Sequence, residues 1–123
     1  MKIIKESTRN YYPLDFIGIN YKKLANVLYN EFDSYQTDYA YDNYKNVTII
    51  DYSEYCLVQV RFYIDKASSD DTKTFNYSVS IVNQTFHINN VDTGDTIEIV
   101  YDIYRVVDEI MDDAIYALEA LNK

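Results

Sequence analysis

Cys56-Leu57-Val58-Gln59-Val60-Arg61-Phe62-Tyr63-Ile64 is the stretch that decides the fold. Cys56, Val58, Val60, Phe62 and Ile64 alternate with Leu57, Gln59, Arg61 and Tyr63, the period of a strand with one face in a core. C-terminal to it, the polar run Lys66 to Lys73 reads as a loop. Phe75, Tyr77, Val79 and Ile81 then alternate with Asn76, Ser78 and Ser80 as the next strand. Asn83-Gln84 suits a turn into a last strand, Thr85 to Ile88, and on the N-terminal side Val47 to Asp51 reads as a short strand. Short connections make neighbours antiparallel, which gives a meander of about four strands.

Helical spacing flanks this core on both sides. Tyr21, Leu24, Leu28, Phe32 and Tyr35 recur every three or four residues and predict a helix from Tyr21 to Ser34, with Asn20 as its N-cap. Ile97, Val100, Tyr104, Val107, Met111, Ala114, Leu118 and Leu121 predict a long C-terminal helix from Thr96 to Leu121, in which Asp95 and Glu98 have capping-box character. Such a helix would extend about 39 Å. A sheet with one apolar face and two amphipathic helices closes as a two-layer α+β sandwich, and residues 1–123 form a single domain. In the N-terminal stretch, Ile3-Ile4 suits a short strand and Pro13 marks a break before Leu14. Gln36 to Asn46 reads as an exposed connection.

Hydrophobic residues make up 48%, enough for a core and too many for a disordered acidic tail. Only 2 Gly and 1 Pro occur, which leaves little chain for long irregular loops. Cys56 is the single cysteine, so no internal disulfide forms. The N-terminus has no apolar signal region, and no apolar run reaches the length of a membrane span. These features place the chain in the cytoplasm, away from membranes.

Catalytic chemistry finds little support. His87, the single histidine, lies in a strand with no Cys, His or Asp at ligand spacing. Cys56 alternates with core positions and reads as a small buried hydrophobe, while a thiol–imidazole pair with His87 stays open as a minor alternative. Gly18 and Gly94 stand alone, so no loop cradles phosphate. Asp65, Asp70 and Asp71 lack the calcium-loop spacing, and Asp112 and Asp113 are adjacent on a helix, where side chains diverge. The expectation is no catalytic residue, no metal and no cofactor.

Charge is the stronger signal. The net charge is −9. Residues 1–30 carry Lys2, Lys5, Arg9, Lys22 and Lys23 against Glu6 and Asp15, a net of +3, and the other 18 acids and six bases leave −12. Such a balance opposes direct nucleic-acid binding, which needs Lys and Arg, and favours a basic partner. Solubility alone would account for it equally well. Glu98, Asp102, Glu109, Asp112, Asp113 and Glu119 are assigned to one acidic face of the C-terminal helix. Carboxylates at one-turn intervals on such a face follow the pitch of a nucleic-acid backbone, though every amphipathic helix needs a solvated face. A second candidate surface is Asp33, Tyr35, Asp38, Tyr39, Tyr41, Asp42 and Tyr44, continued by Asp51, Tyr52, Glu54 and Tyr55. Tyr rings anchor interfaces and carboxylates steer basic partners onto them, while the same rings would also serve to cover a sheet edge.

Small size, acidity and a strand Thr85–Ile88 leading through Asn89-Asn90-Val91-Asp92 into an acidic helix resemble small phage-encoded anti-defence proteins, in particular nucleic-acid-mimicking anti-CRISPR proteins. The resemblance covers about a third of the chain. It implies a cofactor-free, non-enzymatic inhibitor in the bacterial host cytoplasm that fills the basic groove of a nuclease. An immunity protein or antitoxin for a basic toxin, and a small assembly protein of a mobile element, share these features. The long last helix also offers a contact for a homodimer.

Overall fold

The computed structural model describes residues 2–6, 20–34, 45–65, 68–100 and 102–121. In chain order the elements are β1 (Lys2–Glu6), α1 (Tyr21–Ser34), β2 (Lys45–Asp51), β3 (Cys56–Asp65), β4 (Ser68–Val82), β5 (Thr85–Asn90), β6 (Thr96–Val100) and α2 (Ile103–Leu121). The fold is α+β, with an antiparallel sheet of five strands rather than about four. β2 to β6 form the meander, and β1 joins β6 in parallel, so the full order is β1-β6-β5-β4-β3-β2.

The period of two in β3 places Cys56, Val58, Val60 and Phe62 on the inner face. Register carries that face across the sheet, with Val58 opposite Tyr77 and Val79 opposite both Cys56 and Ile88. Both helices pack on this side, and Leu24, Leu28 and Phe32 of α1 join Ile103, Val107, Met111 and Leu118 of α2 in one core with the strands. The outer face carries no helix among the described residues. Its rows are mainly polar, for example Thr48, Gln59 and Asn76, or Ser80, His87 and Glu98.

α1 begins as its sequence predicts, since Asn20 Oδ1 accepts the Lys23 N–H at 3.1 Å. Asn83 and Gln84 form the turn between β4 and β5, both with positive φ (50° and 61°), the geometry of a tight hairpin that follows strand twist. Gly94, at φ 82°, closes the β5–β6 connection, where a side chain would be strained.

Three expectations are corrected. The run Lys66 to Lys73 is not a loop, because β4 starts at Ser68 and only residues 66–67 separate it from β3. The hairpin extends through Phe62↔Lys73 and Tyr63↔Thr72. Its polar residues fit because ladder hydrogen bonds come from the backbone whatever the side chain.

The second correction is the C-terminal helix, which starts at Ile103 and not at Thr96. Thr96-Ile97-Glu98-Ile99-Val100 is β-branched at every position but Glu98, and it pairs with β5 from Asn89↔Thr96 to Thr85↔Val100. Ile97, Val100 and Tyr104 fit a helical spacing only by coincidence. No Asp95–Glu98 capping box forms; Asp102 caps α2 instead, its Oδ1 accepting the N–H groups of Tyr104 (3.0 Å) and Arg105 (3.2 Å). With 19 residues the helix is about 28 Å long. Its buried face includes Val106, Ile110 and Ile115, which the predicted stripe omits, whereas Leu121 is 58% exposed.

The third correction is β1, which spans five residues where two were expected. The expected break at Pro13 and residues 36–44 of the connection Gln36 to Asn46 lie outside the described residues, whereas Lys45 and Asn46 are strand, paired with Phe62 and Arg61 as the start of β2.

Candidate interaction surface

The six carboxylates assigned to one helical face occupy five different environments. Glu98 is on β6, on the outer face of the sheet, with its Oε1 3.1 Å from Nδ1 of His87. Asp102 is the cap of α2 and only 1% exposed. Glu109 is half-buried and lies 3.4 Å from Nε of Arg105, one turn earlier. Asp112 is exposed and Glu119 half-buried on α2.

Asp113 points toward the sheet. Its Oδ2 accepts hydrogen bonds from the Tyr77 hydroxyl (2.7 Å) and from Nδ2 of Asn90 (2.8 Å). Tyr77 is opposite Asn90 across β4 and β5, so two strand residues converge on one helical carboxylate. Burial raises the ionisation of the Tyr77 hydroxyl well above the ordinary tyrosine range, and the Asp113 bond and nearby negative charge push the same way. Asn90 is tied down further, because its Oδ1 accepts the N–H groups of Asp92 (2.9 Å) and Thr93 (3.1 Å) and so fixes the β5–β6 loop. Beside this network lies a cleft of about 20 Å³ bordered by Asp95, Ile97, Glu109 and Asp113, room for about one water rather than for an organic substrate. Among the described residues no group of His, Cys, Asp and Glu is arranged to hold a metal ion.

The outward stripe of α2 brings Asp112 and Glu119 together with two further residues. Asp108, Asp112, Tyr116 and Glu119 recur at three- or four-residue spacing and share one side of the helix. Tyr116 is 76% exposed, a large aromatic ring standing in water between Asp112 and Glu119. Sequence reading passed over Asp108 and Tyr116, although their spacing from Asp112 would have found them.

In the Tyr-rich segment, Asp33 is exposed at the end of α1. Tyr35, Asp38, Tyr39, Tyr41, Asp42 and Tyr44 lie outside the described residues. Tyr52 and Tyr55 stack with centroids 5.2 Å apart in the β2–β3 turn, where Asp51 Oδ1 accepts the Ser53 N–H at 2.7 Å.

Cys56 and His87 do not meet, because Cys56 is on the inner face of the sheet and His87 on the outer. The Cys56 Sγ–H donates to the Tyr21 carbonyl at 3.3 Å. Burial, and then the charge of Asp51, push its thiol up to about 12, so it stays protonated and unreactive at neutral pH. No helix among the described residues is long and apolar enough to cross a membrane. No family model matches the chain, and neither a curated protein nor a solved structure is significantly similar to it.

Proposed function

We propose that the chain is a non-enzymatic, protein-binding inhibitor that lays an acidic surface into the nucleic-acid groove of a basic nuclease, as phage anti-defence proteins do. The observation that carries this reading is the outward stripe of α2, where exposed Tyr116 stands between Asp112 and Glu119 with Asp108 one turn before Asp112. A solvated face needs no exposed aromatic ring, whereas an interface uses one as an anchor and uses carboxylates to draw in a basic partner. The working surface is therefore narrower than the six carboxylates above, since Asp102 and Asp113 serve the fold and Glu98 lies on the other side of the sheet.

The test is displacement of labelled double-stranded DNA from a bacterial RNA-guided nuclease. Wild-type protein should compete with the DNA and lose affinity as salt rises. Replacing Asp108, Asp112 and Glu119 with Lys leaves the buried face of α2 untouched and should slow association by about tenfold or more. Tyr116→Ala should instead speed dissociation. No displacement by the wild type, or equal displacement by the Lys variant, would overturn the proposal.

A further inference from the structure

The two edges of the sheet are built differently. β1 closes one side with Lys2-Ile3-Ile4-Lys5-Glu6, in which charged residues occupy both ends and the fourth position. β2 closes the other with Lys45-Asn46-Val47-Thr48-Ile49-Ile50-Asp51, charged only at its two ends. Between them every residue except Asn46 is β-branched. An edge strand exposes a row of backbone donors and acceptors, which proteins usually blunt with internal charge, proline or a bulge. β2 has none of these, and its pairing with β3 runs unbroken from Lys45↔Phe62 to Asp51↔Cys56. Among the described residues no strand pairs with its other side.

The order of residues in β2 is self-complementary. If two copies meet antiparallel about a two-fold axis at Thr48, Thr48 faces its own copy, Val47 faces Ile49 and Asn46 faces Ile50. Lys45 then falls opposite Asp51 at both ends, so a positive residue meets a negative one twice. Residues paired in this way also share a face of the sheet. Val47 and Ile49, half-buried beside the core, therefore meet Ile49 and Val47 of the other copy and carry the apolar layer across. Moving the axis to Ile49 sets Asp51 against Val47 and leaves Lys45 facing Ser53, beyond the strand. A parallel, in-register pairing sets like charges together. Charge complementarity thus selects one register. We propose that the chain self-associates through β2 in that register, making one continuous sheet across two copies.

Cysteine cross-linking tests the register directly. Opposite residues in an antiparallel pair have Cα atoms about 4.5–5.5 Å apart, within disulfide range. Thr48→Cys should therefore give a covalent, reducible dimer on mild oxidation. Asn46→Cys is the control, because residue 46 and its own copy would be separated by four positions, about 13 Å along the strand. Native Cys56 is buried and does not compete. Lys45→Asp and Asp51→Lys, each alone, should weaken the dimer by about tenfold. Asp51 also holds the Ser53 turn, so the decisive measurement is an equimolar mixture of the two variants. The mixture should regain wild-type association, since every charged pair is then opposite in sign. Sedimentation equilibrium showing a monomer throughout, cross-linking no faster at residue 48 than at 46, or no recovery in the mixture would overturn the proposal.

Discussion

On the inner face of the sheet Tyr77 sits opposite Val58 and Asn90, and its hydroxyl ends on Asp113 beneath α2. One residue earlier, on the outer face, Asn76 Oδ1 accepts a hydrogen bond from Gln59 Nε2 at 3.0 Å, where no helix among the described residues covers it. Both are polar contacts of β4, yet they differ in what their loss exposes. Buried polar atoms cannot fall back on water, so the inner contact holds the helix to the sheet. The outer pair exchanges its partner for water at little cost. Charge follows the same division. On the outer face Glu98 meets His87, and Arg61, Gln59, Asn76 and Ser80 are among its other members. The exposed carboxylates among the described residues are Asp112 on α2, Asp33 at the end of α1, and Asp51, Glu54, Asp92 and Asp95 at the turns.

The largest expected effect comes from forcing a charge onto the inner face. Val60 is fully buried, and Val60→Asp should abolish cooperative unfolding or lower stability by about 3–5 kcal/mol, since the carboxylate has no partner there. Circular dichroism melting checks this, and an unchanged midpoint would reverse the assignment of the two faces.

Alkaline pH probes the same burial without a mutation. The Cys56 thiol is raised from its ordinary 9.0 to about 12, so the folded state favours the protonated form. Its contribution is fully present below pH 9 and declines as pH rises toward 12, at no more than about 1.4 kcal/mol per pH unit. The raised Tyr77 hydroxyl adds a loss of the same sign, beginning above the ordinary tyrosine range. Denaturant titrations at pH 8 and pH 10.5 should show this fall, and Cys56→Val should flatten it. Equal slopes for both proteins would assign the alkaline loss to other groups.

A paired substitution gives the finest comparison. Asp113→Ala leaves the Tyr77 hydroxyl and the Asn90 amide short of an acceptor and should cost about 1–3 kcal/mol. Gln59→Ala removes the outer contact and should stay within about 0.5 kcal/mol of wild type. Equal losses in chemical denaturation would mean that the outer face is covered in solution.

Much of this architecture is legible in local pattern. The alternation from Cys56 to Phe62, the spacing of Leu24, Leu28 and Phe32, the Asn20 cap and the Asn83-Gln84 turn each depend on residues within a few positions of one another. Residues 96–100 are ambiguous in sequence, because Ile97 and Val100 satisfy a helical spacing as well as a strand. The free side of β5 settles between the two readings, and no window of sequence contains it.

The candidate surface divides along the same line. Sequence by itself determines that the C-terminal half is acidic, that α2 is amphipathic and that Cys56 alternates with core residues. Tertiary structure alone decided which acids serve the fold. Asp113 meets Tyr77 from 36 residues away and Asn90 from 23, and His87 draws in Glu98 across a strand pair. Asp102 turned inward as a cap only because the helix starts where β6 ends. A carboxylate's role depends on the donors that folding brings within about 3 Å, and distance along the chain does not encode those donors.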